Sequence, residues 1–444
     1  MKIRVKRGLN LNLKGKSKPV SDPFPSPSRY AVKPIDFVGI APRLEVGEGD
    51  HVNAGDVLFY SKYQPQIKFT SPVSGKVKEI VRGRRRVILR VVIEADETIS
   101  YKSFNPVADN ADTILNTLLE SGIFSFIKQR PYDIVPNPEE KPKAIYVRGY
   151  DSSPLAPDYD FALKGEEAML QKGLDLISKL TDGKVYTIVK DGVQTLFHNL
   201  KNTELIEVSG PHPAANPSVA ISRTHPIVQG ERLWVVDPWT LVFIGRLFEN
   251  GQLDLTKKVA FAGGVFKEPK YYKLIAGAYL KDGLSPLLKQ TQDIRIISGG
   301  PLTGTNITED GFIGLEDNVV TVLKEGKEAR LFGWLPFIGT SRKTVYRLNF
   351  DWFSNKEMDL DTSLHGEERA FVMTEEMEEV FPFDIFPAHL LKAVLTEDVD
   401  NMERLGILEV VPEDFALIDY ISSSKIEAQH IIRKGLNQMM VEIG

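Results

Sequence analysis

The sequence predicts an α+β protein of several domains, on three observations. The chain has 444 residues, too many for one hydrophobic core, so roughly three or four domains are expected. Its hydrophobic pattern changes along the chain: alternating over residues 1–105, strand–helix–strand over 106–256, short strands over 257–330, and helical towards the end of 331–444. With 42% hydrophobic and 26% charged residues it has the make-up of a globular protein, not a disordered or fibrous one.

Residues 1–105 read as all-β. "FVGIAPRLEVGEGDHVNAGDVLFY" (37–60) is a set of short apolar runs punctuated by Gly47, Gly49 and Gly55, where tight turns call for positive φ. "FTSPVSGKVKEIVRGRRRVILRVVIEAD" repeats the logic, and two such halves predict a flattened barrel-sandwich. Biotin and lipoyl carrier domains look like this but hold a modifiable lysine at a hairpin tip. Here the tip is Tyr63-Gln64-Pro65, with Lys62 and Lys68 beside the turn, so neither biotin nor lipoyl is expected. The cluster Arg82, Arg84, Arg85 and Arg86 around Gly83 reads as a solvated hairpin tip in preference to a phosphate or lipid site.

In residues 106–256, "ADTILNTLLESG" reads as a helix with Asp112 as N-cap and Gly122 as stop. "KAIYVRG" is a buried strand, and "GEEAMLQKGLDLISKLTDG" puts Met169, Leu170, Leu174, Ile177 and Leu180 on one helical face. "KVYTIVK" and "ELIEVSG" follow as strands, which predicts a parallel sheet with right-handed crossovers. In 257–330 the runs "KKVAFAGG", "DIRIISGG" and "NVVTVLKEG", with "YYKLIAGAYL" as a short amphipathic element, fit a compact ubiquitin-like module. Beyond Leu331, "FGWLPFIGTSRKTVYRLNFDWF" is aromatic and irregular; "PAHLLKAVLTEDVDNMERLG" and "SKIEAQHIIRKGLNQMM" are helical.

Several functions are excluded. Net charge is −5 and pI about 5.9, so no global field recruits nucleic acid or anionic lipid. The absence of cysteine rules out disulfides, thiol nucleophiles, Cys-ligated zinc and Cys-held iron–sulfur clusters. The basic start "MKIRVKRGLNLNLKGK" lacks the apolar stretch of a signal peptide, and no window reaches the ~18 apolar residues of a membrane span. A cytoplasmic chain is expected, touching membrane only through a partner or a surface patch. The histidines lack metal-ligand spacing, and neither a phosphate loop, a dinucleotide fingerprint nor a nucleophile elbow occurs. "ISGGPLTG" and "AGGVFKEP" read as tight turns, not anion cradles. The densest unusual segment is "LIEVSGPHPAANPSVAISRTHP" (205–226), with four prolines and two histidines after a parallel strand. It reads equally as a ligand loop, with His212 ahead of His225 as hydrogen-bond donor or proton shuttle, and as a stiff connector.

"VSGPHPAANPS" and "VVDPWTLVFIGRLFENGQL", with "LLESGIFSFIKQRPYDIVP", "PLAPDYDFAL", "RIISGGPLTG" and "FPFDIFPAHLLKAVLTEDVDNMERLGILEV", closely resemble the A subunit of the bacterial Na+-translocating NADH:quinone reductase. The resemblance spans nearly the whole chain. It implies relationship to the C subunit of the Rnf complex and to the NADH-binding flavoprotein subunit of respiratory complex I. The domains implied are a barrel-sandwich hybrid (1–105), a Rossmann-like α/β domain without a flavin loop (106–256), an SLBB-type β-grasp domain (257–330), and a linker with a helical domain that has lost its iron–sulfur cluster (331–444).

What it implies functionally is a peripheral subunit on the cytoplasmic face of the inner membrane, associated with ubiquinone and with the B to F subunits, especially the membrane B subunit. No FMN and no iron–sulfur cluster are implied in this chain. Where the flavoprotein relatives carry a glycine-rich flavin loop, this chain has "SGIFSFIKQRPYD", with Phe124 and Phe126 as bulk; their acidic segment becomes "VRGYDSSP", keeping Asp151 and Pro154. Ile418 and Ser422 stand where family members often keep a cysteine pair. A quinone headgroup wants an aromatic or aliphatic slot with one or two donors. His212, Arg130 and Tyr132 are the candidate donors, and Phe124, Phe126 and Trp239 the candidate walls. Two other readings stay open: a scaffold subunit with no ligand of its own, and a soluble flavin or NADH oxidoreductase, against which the lost glycine loop argues.

Overall fold

The computed structural model describes all residues except 26, 327–356, 365–366, 373–374 and 443–444. The aromatic segment "FGWLPFIGTSRKTVYRLNFDWF" lies outside the described residues. Ala144–Val147 and Leu233–Val236 are four-residue apolar runs buried at every position, the mark of central parallel strands covered on both faces. They form the middle of a six-stranded sheet with order Lys2–Arg4, Glu204–Ser209, Lys184–Lys190, Ala144–Val147, Leu233–Val236, Lys128–Arg130. All neighbours are parallel except the last pair, where Lys128–Arg130 runs antiparallel.

The helix expected at 111–122 is Ala111–Ser121. Gly122 ends it in the left-handed region, as predicted, but its N-cap is Asn110 and not Asp112. Asn110 is extended and accepts the Thr113 amide, while Thr113 Oγ1 returns the contact to the Asn110 amide; Asp112 is already inside the first turn. Among the glycines read as positive-φ turns, Gly49 and Gly55 are so, and Gly47 is not.

A second six-stranded sheet has the order Thr305–Asn306, Ile294–Ser298, Val319–Lys324, Thr256–Ala262, Lys270–Ile275, Lys18–Pro23. "YYKLIAGAYL", read as a short amphipathic element, supplies the strand Lys270–Ile275, antiparallel to Thr256–Ala262. Its adjacent tyrosines favour a pleated surface, and both are buried there. The barrel-sandwich comprises a four-stranded sheet (Arg29–Val32, Ile88–Ala95, Gly75–Arg82, His51–Val52) and a three-stranded one (Pro42–Leu44, Val57–Ser61, Lys68–Thr70). The segment before it threads the other two units first: Lys2–Arg4 pairs in the α/β sheet and Lys18–Pro23 in the second. Residues up to 23 therefore contribute strands outside the barrel in which the sequence pattern grouped them. The C-terminal helices Glu376–Val380, Pro387–Leu395, Val399–Arg404, Ala416–Ile421 and Ala428–Glu442 follow. One continuous apolar cluster links all these units, from Ile3 to Met439. No helix among the described residues is long and apolar enough to cross a membrane.

Candidate functional site

From Ala144–Val147 the chain runs through the helix Glu167–Ile177 to Lys184–Lys190 on one side. After Glu204–Ser209 it returns through Pro217–Thr224 to Leu233–Val236 on the other side. Strand order thus reverses between Ala144–Val147 and Leu233–Val236. Open α/β sheets leave a crevice beyond the carboxyl ends of two such strands.

A cavity of about 230 Å³ fills that crevice. Arg148 and Asp151 come from the first strand's end and Asp237 from the second's; His212 and Asn216 come from the proline-rich loop. Loops of the second sheet supply Gly300, Glu316 and Asn318, and Glu413 closes the wall from the C-terminal unit. The site is therefore assembled by three parts of the molecule. A larger cleft of about 730 Å³ shares Asp151, Ser153, Pro157 and Tyr159 with it and extends over Tyr150 and Lys190 to the N-terminal segment 10–13.

Most charges in the cavity are compensated. Asp237 caps the helix Pro238–Asn250 and accepts from the Trp239 amide (2.9 Å), Tyr159 Oη (2.7 Å) and Asn318 Nδ2 (2.8 Å). Burial still holds its pKa above the usual carboxylate value. Lys257 is buried behind it, donating to the Leu315 carbonyl (2.8 Å) and Asn318 Oδ1 (3.1 Å), and burial pushes its ammonium down to about 8. Glu316 pairs with Lys128 at 2.6 Å; burial pushes it up to about 7 against the opposing pull of that lysine. Both oxygens of Glu413 accept from Arg148 Nη2 at 2.7 Å, and Arg130 approaches the same carboxylate at 3.4 Å.

His212 is the notable donor. Its amide donates to Asn10 Oδ1 (2.9 Å) and its carbonyl accepts from the Leu9 amide, so the N-terminal segment clamps the loop. The fit is close: a Cβ on Gly8, whose φ is +137°, would lie 2.2 Å from the His212 carbonyl oxygen. Ser152 Oγ accepts from the Ala215 amide (3.1 Å) and lies 3.1 Å from His212 Nδ1. With one lone pair of Ser152 Oγ taken by the Ala215 amide, its proton is free to donate to Nδ1, an arrangement that puts the ring proton on Nε2. Burial lowers the pKa of His212 despite nearby Asp151 and Glu413, so the ring is neutral at pH 7.

Of the six candidates from the sequence, His212 and Phe126 line the cavity. Arg130 is one residue behind it, joined through Glu413 and paired with Asp133. The other three are elsewhere. Tyr132 is buried with its carbonyl accepting from Arg433 at 2.6 Å. Phe124 packs edge-on against Trp234, and Trp239 packs on Phe243, both in the core. His225 bonds Tyr146 Oη at 2.8 Å, away from the cavity. "ISGGPLTG" is a turn whose Gly299 and Gly304 amides are used by the Val319 and Gly300 carbonyls. The sequence reading missed Arg148, Asp237, Lys257, Glu316 and Glu413. Asp237-Pro238 was readable as a helix cap with proline at the first helical position; the others carried no local signal. Among the described residues no group of three or more His, Asp or Glu side chains is arranged to hold a metal ion.

Comparison with known proteins gives three family matches: NqrA N-terminal barrel-sandwich hybrid domain over residues 3–96, NqrA second alpha/beta domain over 109–253, and NQRA C-terminal domain over 258–309. The chain is 34% identical over 449 residues to the A subunit of the Na(+)-translocating NADH-quinone reductase of Yersinia pestis bv. Antiqua, covering 99% of this chain and 100% of that protein. The same subunit from Klebsiella pneumoniae (strain 342) is 34% identical over 447 residues, and that from Neisseria meningitidis serogroup B 31% over 448, at the same coverage. Among solved structures, an NAD+-reducing [NiFe]-hydrogenase in the H2-reduced state aligns with TM-score 0.41 and 14% identity, over 76% of this chain and 62% of that one.

Proposed function

The chain belongs to the family of the A subunit of the Na(+)-translocating NADH-quinone reductase, an oxidoreductase complex, and from that premise we propose that its own contribution is to bind a quinone headgroup in the three-part cavity. The carrying observation is His212: a buried neutral ring, clamped through its backbone, with Nδ1 engaged by Ser152; in the tautomer protonated at Nε2 it donates to a quinone carbonyl. Phe126 supplies an apolar wall, and a volume of about 230 Å³ suits one substituted ring better than a dinucleotide. Glu316 and Lys257, with pKa values moved to about 7 and about 8, are groups in and behind the same wall that exchange protons near neutral pH.

We read the α/β unit as Rossmann-like and the second sheet as a β-grasp, inherited from an electron-carrying ancestor. In support, the segment aligned with the flavin loop is a turn, Ile123–Phe126, whose phenylalanines are buried where a flavin phosphate would need open backbone. On this reading the chain carries no FMN, iron–sulfur cluster, biotin or lipoyl group. It is peripheral, on the cytoplasmic face of the inner membrane, and docks against the B to F subunits, chiefly the B subunit.

The test is saturable binding of a short-chain ubiquinone analogue to the purified chain. Loss of one hydrogen bond predicts binding weaker by roughly tenfold in His212→Ala, with the melting temperature of the free protein recorded alongside. Absence of saturable binding returns the chain to a purely structural role, and saturable binding of equal affinity in the variant removes His212 from the site.

A further inference from the structure

We infer that the arginine-rich tip of the hairpin Gly75–Arg82/Ile88–Ala95 is a docking point for anionic phospholipid headgroups. The sequence alone favours a solvated tip; three structural facts change the balance. First, the hairpin outruns its neighbours. His51–Val52 pairs only with Lys76 and Gly75, and Arg29–Val32 only with Glu94 to Val91. The distal part, from Val81 round to Arg90, thus has no third strand paired beside it; Ile88 is turned into the core, and the turn from Arg84 to Val87 is exposed.

Second, the tip is electrostatically uncompensated. Arg82, Arg84, Arg85 and Arg86 are all exposed. No aspartate or glutamate occurs between residues 80 and 93. Among the described residues no ion pair involves any of the four, and Arg82 instead donates to the Arg86 carbonyl at 3.2 Å. The arginines that hold the units together behave differently: Arg130, Arg148, Arg232, Arg246, Arg295 and Arg433 each face a carboxylate. The chain as a whole carries −5, so this tip is a local departure from its average field.

Third, Val87 is 55% exposed beside the arginines. Guanidinium groups at phosphate level with an apolar residue reaching the acyl boundary form the pairing that an anionic leaflet takes. An exposed convex turn meets a planar leaflet without needing a matching hollow. It provides no groove to track a nucleic-acid backbone, and an acidic protein surface is the competing partner. Docking here presupposes membership of an ion-translocating complex, which works at a membrane, and not quinone binding.

The experiment is sedimentation of the purified full chain with vesicles of phosphatidylcholine alone or mixed with phosphatidylglycerol, at low and high salt. Binding to the mixed vesicles only, abolished by salt, is expected. Each basic residue near an anionic leaflet strengthens binding roughly fivefold, so the variant R82Q/R84Q/R85Q/R86Q is expected to lose at least tenfold in partitioning. Arg85 and Arg86 are in the left-handed region, with φ of 54° and 62°, so R82E/R84E, which leaves them alone, serves as a second variant. Its melting temperature should be unchanged while vesicle binding drops.

Failure of the unaltered chain to bind anionic vesicles overturns the inference, as does unchanged binding by both variants. Capture by purified membrane subunits in detergent, dependent on these arginines and without vesicle binding, also overturns it in favour of a protein surface. Quinone affinity measured on the same preparations keeps the two proposals separable, because neither variant touches the cavity.

Discussion

Asp414 shows what burial does to a single carboxyl group. It is 2% exposed, held by Asn216 Nδ2 at 2.9 Å and the Val411 amide at 3.0 Å, and pushed up to about 7 by burial first and neighbouring Glu413 second. A folded-state pKa above the unfolded value of ~3.9 means that the unfolded chain releases this proton first. The associated stability is complete below about pH 4 and is lost as pH rises through about 7. Thermal melts should therefore show Asp414→Asn less stable than the parent near pH 5, where it lacks one acceptor, with the gap closing near pH 8. A gap that stays constant with pH would mean that Asp414 is ionised in the fold. Single residues were unevenly legible. Asp237 could be read as a cap from the proline after it, and His212 from its proline-rich setting. Glu413 could not, because its partner Arg148 is 265 residues away and surface-type carboxylates abound.

Among elements, the α/β unit depends on a close helix crossing. The helices Glu167–Ile177 and Pro238–Asn250 meet through reciprocal glycines. A Cβ on Gly173 would lie 1.9 Å from the Leu241 carbonyl oxygen, and one on Gly245 would lie 2.1 Å from that of Met169. Alanine at either position must push the backbones apart. Although alanine is the better helix former by ~1 kcal/mol, Gly173→Ala and Gly245→Ala are each expected to destabilise by about 2 to 3 kcal/mol in denaturant titration. A neutral or stabilising result would show that the crossing relaxes freely. The Glu167–Ile177 helix itself was legible from its apolar face, since helical period is a local property. The cap at Asn110 was misplaced by two residues because both asparagine and aspartate are good caps; only backbone geometry chooses between them. "YYKLIAGAYL" does not declare its type, because a short apolar run satisfies either period; pairing with Thr256–Ala262 and Lys18–Pro23 decided for strand.

Across the whole molecule, Glu413 joins the C-terminal helices to the α/β sheet. Its carboxylate neutralises Arg148 and the 3%-exposed guanidinium of Arg130, while Arg433 from the last helix reaches Asp133 at 3.3 Å. Burial alone would raise the pKa of Asp133, but Arg130 and Arg433 hold it below the usual range. Glu413→Ala strands Arg148, while Arg130 keeps Asp133, and is expected to cost about 3 kcal/mol, with earlier proteolytic cleavage within the C-terminal helices. Cleavage unchanged from the parent would show that apolar packing alone holds the unit. Local period, composition and contiguous motifs were enough to establish most strands and helices, the exclusion of cysteine chemistry, and the family to which the chain belongs. They could not establish that Lys2–Arg4 and Lys18–Pro23 complete two different sheets, or that His212, Arg148, Asp237, Glu316 and Glu413 share one cavity; those facts came from the folded chain. Strand pairing and charge compensation between distant segments are set by the competition of whole surfaces for burial, and no window of neighbouring residues contains that information.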